Sequence, residues 1–348
     1  MVEVSDRARQ IAQEAMQHEG EARAKVIKEM AGGDQCMIDQ VAAAVSELQE
    51  KENIRNQPTV QTPVPSVLTI DMPKSIGHFS IRRVIGSGGM GTVYEALQDN
   101  PRRKVAIKVM KRGVTSNSAL RRFQFESQVL ARLHHPGIAQ VYEAGTWDDG
   151  TGGAPFFAME FIAGAKTLTL YVTDKDLGST EKINLFIQIC DAVHHGHQKG
   201  IIHRDLKPGN VLVDRNGNPK VIDFGVARST DSDLAVTTQQ TDVGALVGTL
   251  QYMSPEQCEA DPDIIDTRSD VYALGVMLYE LLCGKTPYDL DSMPIYEAAK
   301  VVREQPATRL SVINPLLRGD LETIVSKAMA KDPDYRYQSA LELRQDLE

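Results

Sequence analysis

The segment His203-Arg204-Asp205-Leu206-Lys207-Pro208-Gly209-Asn210 constrains this chain more than any other feature. Asp205 is able to accept a proton from a hydroxyl. Lys207 is placed to neutralise a transferring phosphoryl group. Asn210, five residues after Asp205, offers an oxygen to a metal. Asp223-Phe224-Gly225 follows 18 residues after Asp205. A carboxylate at a strand end beside a Gly hinge suits Mg²⁺, a hard cation that takes oxygen ligands.

The residues around these segments predict two kinds of structure. Short β-rich runs cover Phe79 to Val84, Thr92 to Leu97, Lys104 to Met110, Ala139 to Gly145 and Phe156 to Phe161. One helical run, Ala119 to Leu133, interrupts them. Residues 168–348 read as mostly helical, with short β segments near 211–213 and 220–222. A ligand site is expected in the cleft between a β-rich lobe and a helical lobe. The most apolar stretch, Val271 to Gly284, contains Glu280 and reads as a buried helix. No apolar run reaches membrane-spanning length.

Residues 1–53 differ in kind. Apolar residues at Ile11, Ala15 and Met16, at Ala22, Val26, Ile27 and Met30, and at Ile38, Val41, Val45 and Leu48 predict three short amphipathic helices, broken at Gly20 and Gly32-Gly33. Residues 54–76 carry Pro58, Pro63, Pro65 and Pro73 and read as an extended linker. An SH3-type ligand is the sharper reading of these prolines; a linker is the plainer one. The globular part then runs over 77–348, divided into lobes at 77–162 and 163–348.

Composition removes several classes of function. The 348 residues carry 38 Lys+Arg against 47 Asp+Glu, a net charge of -9, which argues against a general nucleic-acid binder. Cys36, Cys190, Cys258 and Cys283 lie far apart with no C-x-x-C pair, so a zinc site or disulfide framework is not expected and a reducing cytosol is the natural compartment. His194, His195 and His197 invite a metal reading, but no Cys or carboxylate nearby completes a site, and packing is the better reading.

Gly86-Ser87-Gly88-Gly89-Met90-Gly91-Thr92-Val93 is a G-x-G-x-x-G-x-V run. Glycines allow positive φ and let backbone N–H groups approach phosphate oxygens closely. A dinucleotide-binding fingerprint would open a helix; here the following residues are β-like, so the run joins two strands. Val105-Ala106-Ile107-Lys108 follows on a strand. By alternation Lys108 could face solvent. Alternatively it points into the cleft, and Glu126 in the helical run is then a candidate partner.

These motifs in this order resemble those of the eukaryotic-type serine/threonine protein kinases, over roughly residues 79–348. The wording of His203 to Val213 and of Gly248 to Gln257 is most similar to bacterial members. The resemblance implies an α+β bilobal kinase fold, here preceded by the small helical segment. It implies ATP and Mg²⁺ as cofactors and protein Ser/Thr hydroxyls as acceptors. Gly86, Gly88 and Gly91 would cover the phosphates, with Ile85, Ser87, Gly89 and Met90 also among the ATP-binding residues, and Lys108 would pair with Glu126. Asp205 would be the base, Lys207 would contact the γ-phosphate, and Asn210 and Asp223 would bind metal. Met159, Glu160 and Ile162 would hold adenine from the hinge, with Val93, Ala106 and Leu212 sandwiching it. Asp270 would brace the catalytic loop, and Glu256 would pair with Arg336.

The resemblance also implies a switch by loop phosphorylation, with Thr237, Thr238 or Thr241 as the acceptors, through a phosphate that pairs with Arg204. Dimerisation and a cytoplasmic kinase domain are implied in the same way. Sensor, repeat or membrane segments beyond Glu348 are left open. Ser254-Pro255-Glu256 replaces the commoner Ala-Pro-Glu, and residues 231–247 match nothing in the family pattern. A pseudokinase scaffold would be marked by loss of the Lys or of either Asp, and Lys108, Asp205 and Asp223 are all present. A small-molecule phosphotransferase is disfavoured by the peptide-platform wording from Thr249 to Glu256.

Overall fold

The computed structural model describes residues 72–88, 91–110, 130–148, 152–224, 250–259, 264–291 and 293–348, together with Ile11, Met30, Asp34, Val41, Ser127 and Gly150. The chain divides into two compact units, Met1–Asp71 and Met72–Glu348. In the first unit Ile11 and Val41 are helical and buried, while Met30 is helical and exposed. The rest of the expected three-helix pattern lies outside the described residues, as do residues 54–71 of the expected linker.

The second unit opens with a six-stranded antiparallel sheet. Its strands are β1 (Ser75–Ile76), β2 (Phe79–Gly88), β3 (Gly91–Gln98), β4 (Arg103–Met110), β5 (Val141–Asp148) and β6 (Gly153–Glu160), in the spatial order β1-β2-β3-β4-β6-β5. Ser75 and Ile76, which the sequence reading gave to the linker, belong to this sheet; Ile76 pairs with Phe79 and is fully buried. Strand β4 explains the near-continuous apolar run Val105–Met110. Val105, Ile107 and Val109 pack into one cluster with Phe79, Tyr94 and Phe156. Ala106 and Met110 pack into the other, with Phe157, Met159 and the helical lobe. A strand covered on both faces loses the apolar–polar alternation of a half-buried one. Lys108 shares the inward face with Ala106 and Met110 and is only 6% exposed, so the solvent-facing reading fails.

Hairpin β5–β6 closes on Asp148, whose Oδ1 accepts from Gly150 N (2.8 Å) and Gly152 N (3.1 Å). Of the helical run expected over 119–133, Ser127 and Leu130 are described as helical and both are buried.

The helical lobe comprises α1 (Leu168–Asp174), α2 (Ser179–Gln198), α3 (Thr267–Cys283), α4 (Ile295–Glu304), α5 (Leu310–Ile313), α6 (Asp320–Ala328) and α7 (Ala340–Leu347). A small sheet joins β7 (Lys166–Thr167), which precedes α1, to β8 (Val211–Val213) and β9 (Pro219–Val221), which lie between α2 and α3 in the chain. Helix α3 is the lobe's buried axis. Asp266 caps its start by accepting from Arg268 N at 2.7 Å, and Gly284 ends it at φ +72°. Thirteen of its residues are buried, so it matches the apolar stretch around Glu280. At Gly275 an added Cβ would come within 2.9 Å of Ala328 Cβ, which is how closely α3 and α6 cross.

Candidate active site

The Gly-rich run joins two paired strands. Gly88 pairs with Gly91 across β2 and β3, and Gly89 and Met90 lie outside the described residues. The glycines serve different ends. Gly91 has φ +155°, and a Cβ there would lie 2.0 Å from the Val109 carbonyl oxygen, so no side chain fits. Gly86 and Gly88 are not at positive φ, and nothing stands within 4 Å of a Cβ at Gly88. Their smallness leaves room above the strand instead of permitting a turn. Ile85 is exposed and Ser87 is solvent-facing beside them.

Lys108 sits on β4 opposite Val93 and Phe157. Its Nζ donates to Asp223 Oδ2 at 2.7 Å. The two residues are 115 positions apart, so this contact ties the sheet to the end of β9. The expected partner Glu126 lies outside the described residues. Asp223 stands at φ +61°, in the left-handed region that non-Gly residues seldom adopt. Phe224 is buried beside it, its ring 4.8 Å from His203. Beneath Phe224 lies Gly196 of α2, where a Cβ would come within 2.4 Å of the phenyl ring. A glycine inside a helix costs about 1 kcal/mol against Ala, so its place needs a packing reason, and Phe224 supplies one.

The 203–210 segment is held from below. Asp270 of α3 is buried and accepts from three donors: His203 N (2.7 Å), Arg204 N (2.9 Å) and His197 Nε2 (2.7 Å). Burial alone would push the Asp270 carboxyl up; the His197 hydrogen bond and the charges and N–H groups around it hold it below the usual range. Arg204 is thereby kept at φ +68°. His203 donates from Nε2 to Ile222 O (2.9 Å) and accepts from Asp205 N at Nδ1 (3.3 Å), which assigns its neutral tautomer.

On this base the polar groups converge. Lys207 Nζ lies 3.0 Å from Asp205 Oδ2. Asn210 Nδ2 donates to Asp205 O (2.7 Å) and Oδ2 (3.0 Å). With its NH₂ turned to Asp205, the Asn210 amide presents its oxygen elsewhere. Asp223 likewise has one carboxylate oxygen on Lys108 and the other without a recorded partner among the described residues. Two such oxygens fit the needs of a hard divalent cation.

Of the expected base-binding residues, Ala106 and Met159 are buried, while Val93, Leu212, Glu160 and Ile162 are partly open. Glu160 is already engaged: its N–H donates to Gln140 O (2.8 Å) and its carboxylate takes Lys220 (2.9 Å). Behind Met159 a water-sized void of about 20 Å³ is bounded by Phe157, Val221, Asp223 and Phe224.

The loop after Leu250 is fixed to the same base. Gln257 Nε2 donates to Arg204 O (2.7 Å) and its Oε1 accepts from Ser254 N (2.9 Å). Glu256 forms a buried two-bond pair with Arg336 (2.6 and 2.8 Å). Sequence reasoning named Glu256, Arg336 and Asp270 but passed over Gln257, Gly196 and Lys220. Only Gly196 carried a signal, as a glycine interrupting a helical run. Of the His cluster, His197 binds Asp270 and His195 stacks on His135, ring centroids 5.0 Å apart. Ser229, Thr230, Ser232, Thr237, Thr238 and Thr241 lie outside the described residues.

A model of the protein kinase domain matches residues 79–346. A probable serine/threonine-protein kinase of Streptomyces coelicolor, SCO3848, is 40% identical over 273 residues, 78% of this chain and 40% of its own length. Serine/threonine-protein kinase PknB of Mycobacterium leprae is 38% identical over 276 residues, 79% of this chain and 43% of its own. The crystal structure of the Mycobacterium tuberculosis PknI kinase domain superposes with a TM-score of 0.60 at 27% identity, covering 78% of this chain and 96% of that one. The chain thus spans about 40% of the length of the curated relatives it matches.

Proposed function

The chain belongs to the protein kinase family, and from that membership we propose that it transfers the γ-phosphoryl group of ATP to Ser and Thr hydroxyls of proteins. The observation that carries this reading is the convergence of Lys207 and Asn210 on the Asp205 carboxylate. Asp205 takes the proton of the acceptor hydroxyl as its oxygen bonds to the γ-phosphorus. The bond from that phosphorus to the β–γ bridging oxygen breaks, and ADP leaves with the electron pair. Lys207 offsets negative charge on the transferring group, and Lys108 exchanges its bond to Asp223 for the α- and β-phosphates. Gly86, Gly88 and Gly91 leave the triphosphate open access to backbone N–H groups. Such a reaction asks for positioning and charge stabilisation more than for covalent chemistry.

Asn210 and Asp223 would hold Mg²⁺, which when bound supplies charge neutralisation at the phosphate oxygens. Val93, Ala106 and Leu212 would enclose adenine, with backbone groups of Met159, Glu160 and Ile162 along its edge. Phosphorylation of Thr237, Thr238 or Thr241 would order the loop by pairing with Arg204. A homodimer of kinase domains and a cytoplasmic site of action belong to the same proposal.

The test is transfer of label from γ-labelled ATP with Mg²⁺ to the chain itself and to a Ser/Thr peptide mixture, in wild type and Asp205→Asn. Label in wild type and a loss of at least about a hundredfold in the variant is expected from removing a general base. Equal labelling of both would remove Asp205 from its role. Nucleotide binding with no transfer by wild type would favour the scaffold reading.

A further inference from the structure

A second polar feature lies away from this site. Pro255, Ile264 and Pro333, with the charged Glu256, Glu259, Asp266, Arg268 and Lys331, bound an open groove of about 460 Å³ on the helical lobe. Lys331 follows α6 and is partly buried. Its Nζ donates to Tyr288 Oη at 2.6 Å and to the Val302 carbonyl of α4. Its ammonium also lies 4.5 Å from the centre of the Tyr288 ring.

Two features set this amine apart. Among the described residues no carboxylate lies within ion-pair distance of Nζ. Of the acids that line the groove, Glu256 is engaged by Arg336 and Ser269, and Arg336 also donates to the Lys331 carbonyl (2.7 Å). Then there is the count of acceptors. A neutral amine has two N–H groups, and two acceptors are recorded. The third N–H of an ammonium has none among the described residues.

We propose that Lys331 is a reactive lysine that takes an acyl group from an activated acyl donor, an acyl phosphate or a thioester, entering through this groove. The neutral nitrogen attacks the acyl carbon and the N–C bond forms. The bond from carbon to the phosphate oxygen or thiol sulfur breaks, and that group leaves with the electron pair. The proton shed by nitrogen passes to the leaving group or to water. The resulting amide keeps one N–H where the amine had two, so either Tyr288 or Val302 loses its donor. Both belong to the cluster of Leu250, Leu290 and Ala298, so modification would loosen α4 beneath the loop that begins at Leu250.

Burial, together with the nearby Arg336 charge and against the pull of Cys258, brings the Lys331 amine down to about 8. At pH 7.5 about a quarter of such an amine is neutral, against about one in a thousand for an ordinary lysine. A weaker base is also a weaker nucleophile, by about tenfold over this range if the thiol dependence carries over. The net advantage is on the order of tenfold in acylation rate.

The full chain would be treated with acetyl phosphate between pH 6.5 and 10 and acetylated lysines quantified by mass spectrometry against exposed Lys285 and Lys300. Lys331 is expected to label about tenfold faster than either at pH 7.5, to level off above about pH 9, and to lose its lead in urea. A Lys331 rate equal to or below theirs would overturn the proposal. So would a lead that survives unfolding, because it would then owe nothing to the groove. Neither result depends on phosphoryl transfer.

Discussion

Replacing Glu256 by Gln keeps the shape of the side chain and removes its charge. Arg336 would be left as a buried guanidinium with no ion-pair partner, since both sides of the pair are almost wholly enclosed. Breaking a buried pair from one side costs about 3–5 kcal/mol. Gln still offers one oxygen, and Arg336 retains the carbonyls of Ala330, Arg268 and Lys331. The lower end, about 3 kcal/mol, is therefore expected for Glu256→Gln. Arg336→Met takes away the pair and the donors of those three carbonyls, so it should cost at least about 5 kcal/mol. At about 2.1 cal/mol/K per residue, the unit Met72–Glu348 unfolds with an entropy near 0.6 kcal/mol/K. Melting should then fall by about 5 °C for Glu256→Gln and about 9 °C for Arg336→Met. The double variant should melt above Arg336→Met, because it no longer strands the buried Glu256 carboxylate, yet stay below wild type, because the orphaned carbonyls persist. Burial pushes the Glu256 carboxyl up, but Arg336 and Ser269 outweigh it and hold it below the usual range. A lowered carboxyl contributes its stability above the unfolded value of about 4.5 and loses it as pH falls through the lower native value. The gap between wild type and Glu256→Gln should therefore be constant from pH 8 to 6 and shrink below about pH 4.5. Thermal melts across this pH range check each step. The reasoning fails if Glu256→Gln melts within about 1 °C of wild type, or below Arg336→Met.

Two glycine substitutions should separate close approach from open space. Gly91→Ala puts a Cβ 2.0 Å from Val109 O and should lower melting by several degrees and abolish phosphoryl transfer, whereas Gly88→Ala should melt like wild type and raise the KM for ATP. Gly196→Ala should displace Phe224 and, with it, Asp223; a drop in kcat of about tenfold or more is expected, and an unchanged kcat would show that Phe224 can move without cost.

The order of strands and helices was legible because each carried its own period. Helix α3 announced itself by an apolar run interrupted only at Glu280, and β2 to β6 by β-rich segments between polar turns. Lys108 was ambiguous for a physical reason. Alternation along a strand fixes which residues share a face but not which face is inward, and a strand buried on both sides erases even that cue. Placing it required the partner strands. The convergence of Asp205, Lys207 and Asn210 was readable because all three lie within six residues. Contacts across 53 residues, as from Gln257 to Arg204, leave no periodic trace in the chain. The bond from Lys108 to Asp223 was hidden by a competing carboxylate, since charge alone does not choose between Glu126 and Asp223.

What distinguishes the two halves of the site is how firmly each is committed. On the helical side Asp270 satisfies two successive backbone N–H groups and His197, and holds Arg204 in a conformation that costs about 1–3 kcal/mol elsewhere. In the proposed reaction Asp205 would therefore meet the substrate already oriented, which is where preorganisation is worth most. On the sheet side Lys108 has one recorded carboxylate, and it is a residue proposed to hold metal. In the proposed reaction that bond would be a placeholder: a triphosphate would offer Lys108 more negative charge than Asp223 does and would free Asp223 for a cation. Ligand binding is thus expected to rearrange the 108–223 contact while leaving the 203–210 segment where it is. Residues that set the rate should cluster on Asp270, and residues that set ATP affinity on β2 to β4.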